Sequence, residues 1–269
     1  MVRNGSHACR PVDQENPAFR EGQGRGCRRS VRRVITLTPL DAVIRRAGAV
    51  MIERDGSSVA AHYGSPAGEL AVCLRTVGIA NRSDLGKLAV TGRPEAVAEL
   101  VQRVVGASLA GTGVAMSAGA WWCAAAPERL VVLCEPPLRA RLLQMLRTAA
   151  RPLAGVHVHD ASAALSAVAV VGRCAMSVLS ALEALGPEND PRSAPPFARV
   201  RIADADVCVL LQSDRRALLV MDAADAGRLW HAVEEAGRPF GISCVGTQAL
   251  ERFALLDRTS VRAPSLTPR

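Results

Sequence analysis

A short segment, "HVHD" at residues 157–160, brings together side chains that can bind a metal ion. If the segment is a β-strand, His157 and His159 project from the same face, and Asp160 follows directly. Two imidazoles and a carboxylate are ligands that zinc and related divalent metals accept. No further ligand is apparent in the sequence. We therefore interpret the pair as exposed histidines on a strand edge and predict no metal, with a metal site as the alternative.

Two glycine-rich segments have spacings that could cradle a phosphate. The first, "GQGRGC" at 22–27, lacks the preceding strand and following helix that a dinucleotide-binding loop requires. The second, "LAGTGVAMSAG" at 109–119, lacks the Lys-Ser or Lys-Thr pair of a P-loop. The Ser, His, Asp and Cys residues show no spacing that indicates a catalytic triad or a Cys-His pair. The residue pattern therefore predicts no catalytic group.

The segment "GIANRSDLGKLAVTG" at 78–92 is unusually polar for a connection between ordered elements. It contains the sole lysine of the chain, and seven consecutive positions hold Asn81, Arg82, Ser83, Asp84 and Lys87. A functional loop and a structural corner are both compatible with this composition.

Apolar spacing, capping residues and short alternating runs predict the elements that must position these residues. The predicted helices cover 38–49, 65–78, 93–106, 136–150, 174–186, 225–237 and 246–256. The predicted strands cover 87–92, 120–126, 129–134, 156–160, 166–172, 199–212 and 216–222. Helices that alternate with strand pairs indicate an α+β fold with mixed or antiparallel sheets.

The net charge of +8 is concentrated at the amino end, where residues 1–33 hold eight arginines against three acidic residues. We interpret residues 1–36 as a disordered basic leader, which could touch phosphates non-specifically. The rest of the chain shows no basic stripe interleaved with aromatic residues. No specific nucleic-acid partner is therefore predicted.

Residues 37–257 form the predicted domain, and the proline-rich loop at 187–196 divides it into lobes 37–186 and 197–257. Residues 258–269 are predicted to be a flexible tail. The eight cysteines never form C-x-x-C and lie mostly among apolar residues, which is typical of reduced thiols in the cytoplasm. No secretory signal or membrane-spanning run is apparent. We expect a cytoplasmic protein without a membrane partner.

The order of several short motifs resembles a known family. They are "TPLDAVIRRAGA", "HYGSPAGELAV", "GIANRSDLGKLAVTGRPEAV", "VVGRCAMSVLSAL" and the closing "LLQSDRRALLV…GTQALERFALL". Together they cover 38–257 and resemble the glycine-cleavage T-protein (aminomethyltransferase) folate-binding superfamily. We expect an architecture closest to that of the sarcosine oxidase gamma subunit, without the family's C-terminal barrel. The 78–92 segment resembles the family's corner between its second helix and first sheet strand.

The resemblance implies a T-protein-like folate-binding fold and tetrahydrofolate as the cofactor. The implied cofactor-binding residues are Tyr63, Glu69, Asp214 and Arg252. The family's catalytic Asp has Ala118 or Gly119 in its place, so no catalytic residue is nominated. One of the family's arginines is replaced by Gln248, which removes a bidentate partner for a carboxylate.

These departures favour a non-catalytic or accessory subunit of one-carbon or amine metabolism, resembling sarcosine oxidase gamma. Such a subunit would have a larger partner, a flavin oxidase or dehydrogenase subunit. The alternative is an active tetrahydrofolate-dependent aminomethyl or methyl transferase, so whether the chain is an enzyme stays open.

Overall fold

The computed structural model describes residues 38–106, 109, 113–186, 188–191 and 194–260, with side chains through Asp257. The predicted leader at 1–36 lies outside the described residues, as does the end of the predicted tail from residue 261. The last helix continues through Ser260, into the region predicted as a tail.

The described residues form helices and strands that alternate along the chain. The helices are α1 (Asp41–Arg46), α2 (Pro66–Arg75), α3 (Pro94–Val105), α4 (Arg139–Ala150), α5 (Ala175–Ala181), α6 (Ala226–Gly237) and α7 (Thr247–Ser260). The strands are β1 (Val50–Arg54), β2 (Ser57–His62), β3 (Val77–Asn81), β4 (Gly86–Thr91), β5 (Val114–Ser117), β6 (Ala120–Ala126), β7 (Arg129–Cys134), β8 (His157–Asp160), β9 (Leu165–Val171), β10 (Phe197–Ile202), β11 (Ala205–Ser213), β12 (Arg216–Asp222) and β13 (Ile242–Cys244). This content confirms the α+β prediction.

The strands form three sheets. A six-stranded sheet has the order β10-β11-β12-β9-β3-β13, and a five-stranded sheet has the order β5-β6-β7-β4-β8. The strands β1 and β2 form a separate hairpin. The pairings are antiparallel except for β13, which runs parallel to β3. Because β12 pairs with β9 and β13 with β3, the lobes 37–186 and 197–257 share one sheet instead of folding around separate ones.

The two large sheets pack face to face and are covered by helices on their outer faces. Alternate residues of β9 show this, since Val168 and Val170 face α1, α5 and α6 while Ala167 and Ala169 face the other sheet. The five-stranded sheet packs its second face against α3 and α4. None of the described helices has the length and apolar character needed to cross a bilayer.

Local signals place the starts of α2, α3 and α6 to within one residue. In contrast, α1 is shorter than the predicted 38–49, and α5 ends at Ala181 instead of residue 186. Ser65 begins α2 as predicted, because its hydroxyl accepts a hydrogen bond from the N–H of Gly68 over 3.1 Å and Pro66 occupies the first turn. Helix α3 ends at Gly106 in the left-handed conformation, with φ of 74°.

The predicted end of α2 is wrong. The helix stops at Arg75, and Val77 begins β3 instead of extending the helix to Gly78. Tertiary pairing decides this, because β3 lies between β9 and β13 and hydrogen-bonds to both. A side chain at Gly78 would lie 2.7 Å from the Val245 side chain, so glycine permits this close packing.

Four further strand features differ from the sequence predictions. The hairpin β1–β2 and the short strands β5 and β13 lie where no strand is predicted. The predicted strand at 199–212 is divided into β10 and β11 by a turn at Ala203 and Asp204, whose φ values are 47° and 62°. Two consecutive positive φ values are characteristic of a tight two-residue hairpin turn.

Candidate functional site

The polar segment of residues 81–87, called here the inter-sheet corner, connects β3 in the six-stranded sheet to β4 in the five-stranded sheet. It therefore does not follow the second helix directly, as the resemblance implied. Asn81 accepts a hydrogen bond from the Ser83 N–H over 3.0 Å and donates one to the Thr38 hydroxyl over 2.9 Å. The Ser83 hydroxyl accepts a hydrogen bond from the Ala167 N–H over 3.2 Å. These contacts give the corner a structural role.

Lys87 is fully buried within this corner. Its ammonium donates hydrogen bonds to the carbonyl oxygens of Ser83 over 2.8 Å and Leu85 over 2.7 Å. Burial lowers the pKa of Lys87 to about 8, although Asp84 and Asp160 act in the opposite direction. The amine is thus held inside the fold by carbonyl groups of its own chain.

Arg82 joins the corner to the end of β7. Its Nε lies 3.1 Å from a carboxylate oxygen of Asp84, and its Nη2 donates to both oxygens of Glu135 over 2.9 and 3.1 Å. Burial alone would lower the pKa of the guanidinium, but Asp84 and Glu135 raise it overall. The arginine stays charged and holds two acidic side chains.

Glu69, one of the residues implied by the family resemblance, is buried at the start of α2. One carboxylate oxygen accepts a hydrogen bond from the backbone N–H of Tyr63 over 2.6 Å. The other oxygen accepts a hydrogen bond from the backbone N–H of Gly246 over 2.8 Å. Both oxygens therefore bind this chain's own backbone.

Tyr63 follows β2 and packs partly against the core between α6 and the six-stranded sheet. Its hydroxyl is enclosed and has no hydrogen-bond partner among the described residues. Burial raises the pKa of this hydroxyl above its ordinary value, and Cys244 and Glu69 add to the effect. A protonated, unpaired hydroxyl is a donor that a ligand could use.

Asp214 and Arg252 are both exposed. Asp214 lies in the turn between β11 and β12, and Arg252 lies on α7 one turn after Gln248. Helix α7 approaches that turn, because the Ser213 hydroxyl donates to the Asp257 carboxylate over 2.9 Å. Neither residue is linked to Tyr63 by a hydrogen bond within the described part of the chain.

The hairpin turn between β5 and β6 occupies the place where the resemblance implies a catalytic Asp. Ala118 and Gly119 have φ values of 52° and 73°, and both side-chain positions lack a polar atom. The Trp122 indole donates to the Ser117 carbonyl over 3.0 Å and fixes the strand that follows. The side-chain positions of Ala118 and Gly119 can therefore supply neither a general base nor a negative charge.

The histidines of β8 are exposed, as predicted, and β8 is an edge strand of the five-stranded sheet. No group of three or more His, Cys, Asp or Glu side chains is arranged for a metal among the described residues. The six cysteines in this part of the chain are free thiols.

Two cavities flank β6 and β7. The larger, of about 320 Å³, lies between α3 and the outer face of the five-stranded sheet and has a mainly apolar lining. The smaller, of about 90 Å³, lies between the two sheets and has charged residues around an apolar interior.

Comparison with known proteins gives matches by structure. No family model matches the sequence, and no curated protein matches it. A chain of heterotetrameric sarcosine oxidase from Corynebacterium sp. U-96 superimposes with a TM-score of 0.57 and 15% identity, covering 77% of this chain and 97% of that chain. Aminomethyltransferase T of the glycine cleavage system from Bartonella henselae superimposes with a TM-score of 0.63 and 16% identity.

The second match covers 82% of this chain, which spans 62% of the length of that aminomethyltransferase. TM-scores of 0.57 and 0.63 at identities of 15% and 16% show similarity of fold alone. The described chain therefore has the T-protein-like fold that aminomethyltransferase T and the sarcosine oxidase chain share.

Proposed function

We propose that this chain is a tetrahydrofolate-binding, non-catalytic or accessory subunit of one-carbon or amine metabolism. The observation that carries the proposal is the β5–β6 turn, where Ala118 and Gly119 stand in place of the Asp expected from the resemblance. A carboxylate there would accept a hydrogen bond from a cationic amine, and a methyl group or hydrogen cannot.

The proposed folate contacts are Tyr63, Asp214 and Arg252, with Glu69 holding the backbone of Tyr63. Tyr63 offers an enclosed hydroxyl that lacks a partner among the described residues, which fits a donor awaiting a ligand acceptor. The exposed carboxylate of Asp214 can accept from N–H groups, and the guanidinium of Arg252 can pair with a carboxylate of the cofactor. When bound, tetrahydrofolate would supply the one-carbon acceptor.

We also propose a larger protein partner, a flavin oxidase or dehydrogenase subunit. The support is that the matched sarcosine oxidase is heterotetrameric, so a chain with this fold occurs within a larger assembly. Exposed apolar side chains support it further, since Val50, Ile52 and Leu255 are 47%, 42% and 63% exposed. Exposed apolar side chains on β1 and α7 suit protein association.

Two measurements on the purified full chain test this function. Calorimetric titration with tetrahydrofolate should show binding that Tyr63→Phe, Asp214→Asn and Arg252→Gln each weaken. Asp204→Asn, in the β10–β11 turn, and Arg147→Gln, on α4, are matched controls and should bind like the original chain. Absent binding, or equal effects of site and control substitutions, would refute the folate site.

The second measurement is aminomethyl transfer from a loaded donor to tetrahydrofolate. The isolated chain should show no turnover, and the assay also decides the alternative, an active transferase, which the fold match to aminomethyltransferase T favours. Turnover by the unmodified chain would refute the accessory role and support the active transferase.

A further inference from the structure

The smaller cavity lies at one open end of the layer between the two large sheets. Its apolar wall is formed by side chains of β7, β9, β10 and β12, among them Leu133, Leu165, Phe197 and Val220. At about 90 Å³, the space exceeds several-fold the roughly 10–15 Å³ that a single water requires. It can therefore accept a small organic molecule.

This cavity is remote from Asp214, one of the proposed folate contacts, and from the β5–β6 turn. It lies at the Asp206 end of β11, whereas Asp214 follows the other end of that strand. Eight residues of extended strand separate these positions by about 26 Å. Likewise, the cavity meets β6 at Ala125, at the end opposite the Ala118–Gly119 turn. A ligand here would occupy a separate site.

Four charged side chains surround the cavity, two of each sign. Arg199 and Asp206 neutralise each other, because their N and O atoms lie 3.1 Å apart. Arg129 and Asp222 also line the cavity, but neither forms an ion pair with another side chain in the described ranges. One cation and one anion thus face the same space without contacting each other.

We propose that this cavity binds a small zwitterion with a short aliphatic side chain, the chemistry of an aliphatic α-amino acid. The guanidinium of Arg129 pairs with the ligand carboxylate, and the carboxylate of Asp222 accepts from its ammonium. The aliphatic group enters the apolar space between the sheets. The two unpaired charges disfavour other classes of ligand, since a simple anion would be repelled by Asp222 and a simple amine by Arg129.

The test is calorimetric titration of the full chain with L-valine, beside isobutylamine, which lacks the carboxylate, and 3-methylbutanoate, which lacks the ammonium. Valine should bind at one site per chain, and each analogue at least tenfold more weakly. Arg129→Gln and Asp222→Asn should each weaken valine binding at least tenfold without altering the melting temperature. Both side chains are exposed, so these variants should fold.

Arg147→Gln and Asp214→Asn are the controls, and both should bind valine like the original chain. The Asp214→Asn control distinguishes this site from the folate site. Absence of valine binding would refute only the present proposal, and absence of tetrahydrofolate binding would refute only the folate site. No heat from valine at millimolar concentration would overturn the proposal. Valine binding that is unchanged in Arg129→Gln and Asp222→Asn would also overturn the proposal. So would analogues that bind as tightly as valine.

Discussion

Glu69 accepts a hydrogen bond over 2.8 Å from the backbone N–H of Gly246, which lies 177 positions later in the chain. Gly246 can approach because it lacks a side chain, and a Cβ there would lie 2.2 Å from the carbonyl oxygen of Ala61. The other oxygen of Glu69 accepts from Tyr63. The carboxylate of Glu69 thus connects the start of α2 to the end of β2 and to the segment before α7.

Replacing Glu69 with Ala should lower the free energy of unfolding by about 2–4 kcal/mol, because two backbone N–H groups lose their acceptor away from water. Glu69→Gln keeps one acceptor oxygen and should lose about half as much. Urea unfolding followed by tryptophan fluorescence measures both variants. Glu53→Ala, at an exposed position of β1, is the control, and a loss there equal to that at Glu69 would contradict the prediction.

Replacing Arg82 with Ala should lower the free energy of unfolding by about 2–4 kcal/mol, because Asp84 would remain buried without its partner. The exposed pair of Arg103 and Glu99 provides the contrast, and Arg103→Ala should cost less than about 1 kcal/mol. Urea unfolding at low and high salt distinguishes the two, since salt should reduce only the effect at Arg103. A loss in Arg82→Ala no larger than that in Arg103→Ala would show that the inter-sheet corner tolerates an unpaired Asp84.

The buried amine of Lys87 should make stability depend on pH. Its folded pKa of about 8 lies below the ordinary value of 10.5, so in this window the unfolded chain holds a proton that the folded chain has released. Stability contributed by Lys87 therefore increases as pH rises from about 8 to 10.5. At 1.36 kcal/mol per pKa unit, the increase totals about 3 kcal/mol.

The buried thiols act in the opposite direction, so the Lys87 contribution must be measured as a difference. Burial raises the pKa of Cys73 to about 12 and of Cys134 to about 11, so their contributions decrease as pH rises above 9. The free energy of unfolding of the original chain minus that of Lys87→Met should increase by about 2 kcal/mol between about pH 7.5 and 10. The same difference for Arg103→Met should be flat. A flat difference for Lys87→Met would exclude the depressed pKa.

Ala118→Asn should raise the free energy of unfolding by about 0.5–1 kcal/mol. Ala118 has φ of 52°, a left-handed conformation that costs most L-residues about 1–2 kcal/mol and that Asn adopts more readily. Thermal unfolding of both proteins measures the gain. Ala140→Asn, within α4, is the control and should lose stability, because Asn has the lower helix propensity. A loss at position 118 would show that the left-handed turn does not limit stability.

Local patterns predict the elements whose signals lie within a few residues. Helix α3 follows from Val97, Leu100 and Val101 at helical spacing, and all three are buried. The hairpin β6–β7 follows from two apolar runs around a short turn. The fold type was predicted by the order of the motifs, and the structural matches confirm it.

Contacts between distant residues had no signal in the sequence. Val77 continues the helical spacing of Leu70 and Leu74, yet it belongs to β3, because that strand pairs with residues from 242 onward. The hydrogen bond from Gly246 to Glu69 depends on a close backbone approach, which neither residue type indicates in the sequence. The cofactor contacts at Tyr63, Asp214 and Arg252 stay predictions, since they depend on a ligand.

The parallel pairing of β3 with β13 has a consequence for synthesis of the chain. Residues 242–244 form one edge strand of the six-stranded sheet. Among the strands in the described part of the chain, this one leaves the ribosome last. Until then, the backbone groups along one side of β3 face solvent and can template pairing with another molecule. A nascent or truncated chain that stops before Ile242 is therefore expected to aggregate more readily than the full chain.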